Sequence, residues 1–211
     1  MHKGILFFIA AFSLAAADDS WKFAKSADGV TAYTRTVSTS SFKEYKVETE
    51  VDATLTQVVA MLMAVNDMPQ WVDRCAEASI LKEISPTESI TRSVTASPFP
   101  LKNREAIAYG KLTQDPQTKI VTMTASGRPD YIPLDSKYER VTKLRGTWIL
   151  EPKQGGKVHI KMIGHTDPGG VIPAAIANQF VVMIPFNTIK NLRTQIKKEK
   201  YVKAKLKYIR D

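Results

Sequence analysis

The chain has 211 residues, 44% of them hydrophobic and 24% charged, with a formal net charge of +9 and one cysteine, Cys75. That length gives one domain with a sizeable core and is short for two. The charge is lopsided: Lys190 to Asp211 carries nine Lys and Arg against Glu199 and Asp211, a net +7, and the body is nearly neutral. A nearly neutral body excludes a nucleic-acid surface spread over the fold, and a lone cysteine excludes an internal disulfide.

The first residues read as an export signal, residues 1–17. His2 and Lys3 give a weakly positive start, Gly4 to Leu14 an apolar run, and Ala15-Ala16-Ala17 an A-x-A cleavage site before Asp18. The apolar run is about half the roughly 20 residues that span a bilayer. The expectation is a soluble mature protein in a periplasm or beyond, with a permanent N-terminal anchor as the alternative. Cys75 lies far from the signal and reads as a small residue at a strand start.

Trp21 to Lys25 and Val30 to Arg35 read as strands joined at Asp28-Gly29, a hairpin dipeptide. Phe42 to Val51 alternates as a third strand. Thr54 and Gln57 form a capping box opening a helix with Val58, Met61, Leu62 and Val65 on its apolar stripe, which stops near Asn66. Six strands follow: Ala78 to Ile84, Glu88 to Ala96, Glu105 to Thr113, Ile120 to Ser126, Tyr138 to Glu151 and Lys157 to Asp167. Turn signals between them predict an antiparallel meander. The connection Gly127 to Lys137 is long for a hairpin and carries Tyr131, Ile132 and Leu134, which suits a lid or membrane-touching tip; packing onto the core is the alternative.

After Asp167-Pro168-Gly169-Gly170, Pro173 suits a helix's first turn, and Ala174 to Ile184 is almost unbroken apolar sequence. A helix apolar on every side is normally buried, so a sheet wrapped around it could enclose an apolar cavity for a lipid or similar ligand. Pro185 should kink or curve that helix. The basic segment from about 190 to 211 suits an anionic membrane at about 1 kcal/mol per cation, with Lys197, Lys198, Lys200, Lys203, Lys205 and Lys207 as the docking residues. A solvated, fraying helix end is the alternative.

Ser97-Pro98-Phe99-Pro100-Leu101-Lys102-Asn103-Arg104-Glu105 resembles the proline-rich, Asn-Arg-acidic signature of START lipid-transfer domains of the helix-grip superfamily, with Phe99 where a tryptophan is frequent. His165 to Pro173, with Asn178 following, resembles that family's approach to its last helix; Gly146 to Leu150 and Pro69-Gln70-Trp71 also fit. The resemblance covers about Trp21 to Lys198. It implies an α+β helix-grip fold, a curved antiparallel sheet closed by the C-terminal helix around a tunnel for one lipid, gated by the Gly127 to Lys137 loop.

At about 100° per residue, Ile172, Ile176, Phe180, Met183 and Asn187 share one line of that helix and form the expected cavity row. Arg92 is the expected head-group contact, and Arg104 an expected structural salt bridge. Arg104 and Glu105 should point to opposite faces. His159 and His165 sit too far apart on one strand to share a metal, and no nucleophile, zinc or phosphate-loop motif occurs. The resemblance thus implies a lipid carrier, expected to be a monomer with no catalytic residue, metal or cofactor. A ligand sensor acting through a protein partner and a polyketide cyclase-like enzyme are the alternatives.

Overall fold

The computed structural model of the chain describes residues 20–170, 172 and 174–211. The export signal and Pro173 lie outside the described residues. In chain order the elements are β1 (Lys22–Ala27), β2 (Val30–Val37), β3 (Ser40–Asp52), α1 (Leu55–Met63), a 3-10 helix (Val65–Gln70), β4 (Cys75–Ser85), β5 (Glu88–Thr95), β6 (Arg104–Gln114), β7 (Val121–Gly127), β8 (Glu139–Arg140), β9 (Lys143–Lys153), β10 (Lys157–Asp167), α2 (Ala174–Gln195) and α3 (Glu199–Val202).

One curved ten-stranded sheet runs β1-β2-β3-β10-β9-β7-β6-β5-β4. The meander from β4 to β10 is as expected, and β10 pairs β3 to bring the two ends of the chain together. The Tyr138 to Glu151 segment is not one strand. Its first residues, β8, pair in parallel with the start of β6, and the chain then turns into β9. Asp28 and Gly29 take φ of 54° and 72°, as the β1–β2 hairpin turn requires.

Thr54 caps α1 by accepting from the Gln57 amide at 3.2 Å. The reciprocal half of the box is missing, because the Gln57 side chain instead donates to the Ile196 carbonyl at 2.7 Å, tying α1 to the end of α2. Pro185 lies inside α2 and is buried; lacking an N–H, it leaves one helical carbonyl without its usual partner.

The register sorts the sheet into cross-strand rows on its inner face. A low one, Val121–Leu150–Ile160–Thr49–Val30, is buried throughout. Above it runs Leu112–Met123–Trp148–Met162–Val47–Ala32. Phe186, Ile189 and Leu192 of α2, Ile196 just after it, and Leu55, Val58 and Met61 of α1 pack into the same core. Call this the lower end; it holds the Gly155-Gly156 turn, α1 and the C-terminus of α2. The upper end holds the 97–103 turn, the 127–138 loop and the link from β10 to α2.

Candidate functional site

Towards the upper end the inner rows change character. The next row reads Ser89–Gly110–Ala125–Gly146–Gly164–Tyr45–Thr34, and above it Thr91, Ala108 and Gly127 stand side by side. Most of these residues stay partly exposed although they sit mid-sheet on the concave face, as do Met123, Trp148 and Met162 just below. Glycine and alanine leave space that leucine or isoleucine would fill. Gly164 has a further reason to lack a side chain: a Cβ there would meet Tyr45 Oη at 2.3 Å.

The helix lies beside this space in an orientation different from the expected one. Among its described side chains Ala177, Pro185, Phe186, Thr188, Ile189, Leu192 and Gln195 are buried, as is Ile196 just beyond its end. The expected cavity row lies roughly half a turn away at about 100° per residue. Ile176 is 44% exposed and Met183 36%. Phe180 lies under the Arg74 guanidinium, 5.2 Å from its ring centre, and Asn187 donates to Asp73 Oδ2 at 3.3 Å. Ile172 precedes the helix and is half-buried. Polar contacts fix this rotation. Asn178 accepts from the Lys43 amide at 2.9 Å and donates to the Ser41 carbonyl, while Asn191 donates to the Trp71 carbonyl and the Asp73 amide to Thr188 Oγ1.

Arg92 is also turned away from the inner face. It sits on the outer side of the sheet, where its Nε donates to Glu105 Oε1 at 2.5 Å and its Nη1 to Glu77 Oε2 at 2.7 Å. Burial opposes its charge, but these carboxylates and the Tyr138 hydroxyl raise its pKa overall. Glu77 is correspondingly held below the usual carboxylate range by Arg92 and Tyr138. The other Glu105 oxygen accepts from Arg140 Nη2 at 2.7 Å and Nε at 3.1 Å. Both partners are buried, Glu105 to 2% exposure and Arg140 to 7%.

Arg140 is the residue sequence reasoning missed. Its guanidinium also donates to the carbonyls of Pro129, Ile132 and Pro133, so the 127–138 loop is wound around it. Ile132 is half-buried there, whereas Tyr131 is 43% and Leu134 76% exposed. The loop is thus a pinned base with an apolar tip. Gly169 and Gly170 pass so close to β8 that a Cβ at Gly169 would lie 2.6 Å from the Arg140 carbonyl oxygen, which places the start of α2 beside the loop.

Among the described residues Arg104 has no salt-bridge partner. Its Nη1 donates to Ser97 Oγ at 3.2 Å and to the Lys102 carbonyl at 2.6 Å, bracing the proline-rich turn, and burial pulls its pKa down. It does face opposite to Glu105, as alternation requires. Cys75 begins β4, with its thiol donating to the Glu77 carbonyl at 3.3 Å, and burial pushes its pKa up.

The basic segment is neither a frayed helix nor a neighbour of the loop. α2 ends at Gln195, and the chain folds back over the lower end. Tyr201 and Ile209 are buried, Tyr201 Oη donates to Asp67 Oδ2 at 2.6 Å, and the Thr56 amide donates to Asp211 Oδ1 at 2.7 Å.

Comparison with known proteins agrees with this architecture. A family model described as START domain matches residues 12–200. An uncharacterized protein of Pseudomonas aeruginosa is 34% identical over 180 residues, covering 85% of this chain and 88% of its own. The crystal structure of a STAR-related lipid transfer protein fragment from Xanthomonas axonopodis superposes with a TM-score of 0.79 at 32% identity, covering 85% of this chain and all of that one. Human StAR-related lipid transfer protein 5 shares the fold at 19% identity, with a TM-score of 0.75 over 84% of this chain and 86% of its own. The helix-grip architecture, the pinned loop beside α2 and these matches make the chain a member of the START domain family.

Proposed function

We propose that the chain binds one lipid or similar hydrophobic small molecule between the upper inner face of the sheet and α2, and carries it between membranes. The observation that supports this most is the row of glycine and alanine in the middle of the sheet, partly exposed where a folded core would ordinarily be filled. Met123, Trp148 and Met162 would form its apolar floor. A long acyl chain leaving water gains on the order of 10 kcal/mol, so unaided release would be slow. The gate therefore belongs where the departing chain can enter another apolar phase, and the exposed tip of the 127–138 loop beside the start of α2 is the place for it.

We further propose that this happens outside the cytoplasm, on the strength of the export signal read in residues 1–17, and that the chain acts as a monomer without catalysis. Mass spectrometry of an organic extract of the protein, purified from its exported compartment, tests the reading. A single lipid class near one per protein is the expected result. An empty protein, or turnover of a bound compound, would overturn the carrier and favour a sensor or an enzyme.

A further inference from the structure

The two surfaces suited to a membrane are at opposite ends of the molecule. They are separated by the length of α2, 22 residues, or about 33 Å at 1.5 Å per residue. At the upper end Phe99 is 98% exposed on the proline-rich turn. Lys102 Nζ, donating to the Ser136 carbonyl at 2.8 Å, holds that turn against the loop that carries Leu134.

At the lower end the basic segment is a fixed array. Gln114 brackets the backbone of Arg210, accepting from its amide at 2.9 Å and donating to its carbonyl at 2.7 Å. Between that anchor and buried Tyr201 the chain alternates, with Leu206 and Tyr208 packed against the core and Lys203, Lys205 and Lys207 in solvent. Lys200 is paired with Asp67 and Lys203 with Glu199. Among the described residues no carboxylate stands within ion-pair reach of Lys205, Lys207 or Arg210. Val202 is the one exposed large apolar side chain of this stretch.

We infer that the lower end is a second docking surface, for an anionic lipid bilayer, so that one molecule bridges two membranes. It grips one by charge while its upper end exchanges lipid with the other. The inference rests on the lipid-carrier reading of the upper end. A protein partner would need apolar anchors at the centre of its contact. A spread of three unpaired cations, Lys205, Lys207 and Arg210, with no such centre instead matches the diffuse negative potential of lipid head groups.

Vesicles of phosphatidylcholine, with and without phosphatidylglycerol, test this by co-sedimentation and by clustering in dynamic light scattering. The protein is expected to bind and cluster the phosphatidylglycerol vesicles, with binding that falls as salt rises. At roughly fivefold per cation, the Lys205→Glu/Lys207→Glu/Arg210→Glu variant should bind about 100-fold more weakly and cluster nothing. A Phe99→Ser/Leu134→Ser variant should still bind yet no longer cluster. Equal binding to both vesicle types, clustering unchanged in the triple charge-reversal variant, or binding without clustering by the parent protein would each overturn the bridge. Lipid loading, read by mass spectrometry on the same samples, separates the two ideas. A loaded protein that does not cluster sinks the bridge alone, and an empty one that clusters sinks the carrier alone.

Discussion

The lower and upper halves of the same sheet solve the burial problem in opposite ways. Below, the concave face carries Val121, Leu150, Ile160 and Val30, all buried against α1 and α2. Above, the concave face thins to Gly110, Ala125, Gly146 and Gly164, and the buried apolar groups move to the convex side. There Ile90, Val94 and Ile107 flank the Glu105 cluster, near the 127–138 loop. Across β6, β7, β9 and β10 the pairing runs without a register shift from one half to the other, so there the difference is side-chain volume. One half is core on the inside; the other holds its order from outside, and most of its inner face stays partly exposed.

Removing the outer support of the upper half should have the largest effect. Glu105→Ala leaves the Arg140 and Arg92 guanidiniums without their buried carboxylate, at a cost of about 3–5 kcal/mol, read by urea denaturation. The loop carbonyls on Arg140 would lose their fixed centre, and ligand exchange should speed up. A loss under about 1 kcal/mol would mean that the convex cluster does not hold the upper half. In the lower half the matching change is Leu192→Ala, which opens a void in packed core and should cost about 2–5 kcal/mol, with loading retained in the protein that remains folded.

The sharper contrast comes from adding volume in place of removing it. Val121→Phe in the lower half overpacks the core and should cost about 1–3 kcal/mol. Ala108→Leu with Ala125→Leu in the upper half should cost less than about 1 kcal/mol, because those side chains enter open space. Lipid loading should drop at least about tenfold, since each methylene of ligand displaced forfeits about 0.8 kcal/mol. Equal destabilisation of the two halves would show that the upper face is packed core after all.

Much of this division could be read from the chain. The strand run, the Thr54 cap, the β1–β2 turn and the last helix all carry local signals, and the proline-rich Asn-Arg-Glu stretch points to the family. What could not be read was rotation and pairing over distance. The first turns of α2, Ala174 to Ile184, are apolar on every side, so periodicity selects no face. The groups that do select one, Asn178 on Lys43 and Asn191 on Trp71, act across more than a hundred residues of sequence. Arg92 went astray for a related reason. Its strand alternates correctly, but the convex side of the upper half is buried by a loop, and a charged residue there looks the same in sequence as one facing a cavity. Arg140 carried a weak signal of its own, an arginine just after the long apolar-tipped loop.

The smallest effect expected falls on the seam where the β3–β10 ladder ends. Pairing stops at Tyr45 opposite Gly164, and His165 continues the join, its Nε2 lying 3.2 Å from the Phe42 carbonyl oxygen. Burial, then the nearby Arg145, lower its pKa from the usual 6.5, with the Phe42 carbonyl, Glu44 and Asp167 opposing. The imidazole is neutral in both folded and unfolded chains above pH 6.5, so its contribution to stability is fully present there. As pH falls below 6.5 the unfolded chain takes up the proton first, and stability is lost until the folded pKa is passed. A loss of stability confined to the acid side is therefore expected, seen as a Tm that falls between pH 7.5 and 5. His165→Gln should flatten that slope while keeping a hydrogen-bonding group at the seam. The same slope in both proteins would move the acid sensitivity elsewhere and leave the seam held by Arg145 and Glu44, which meet at 3.1 Å.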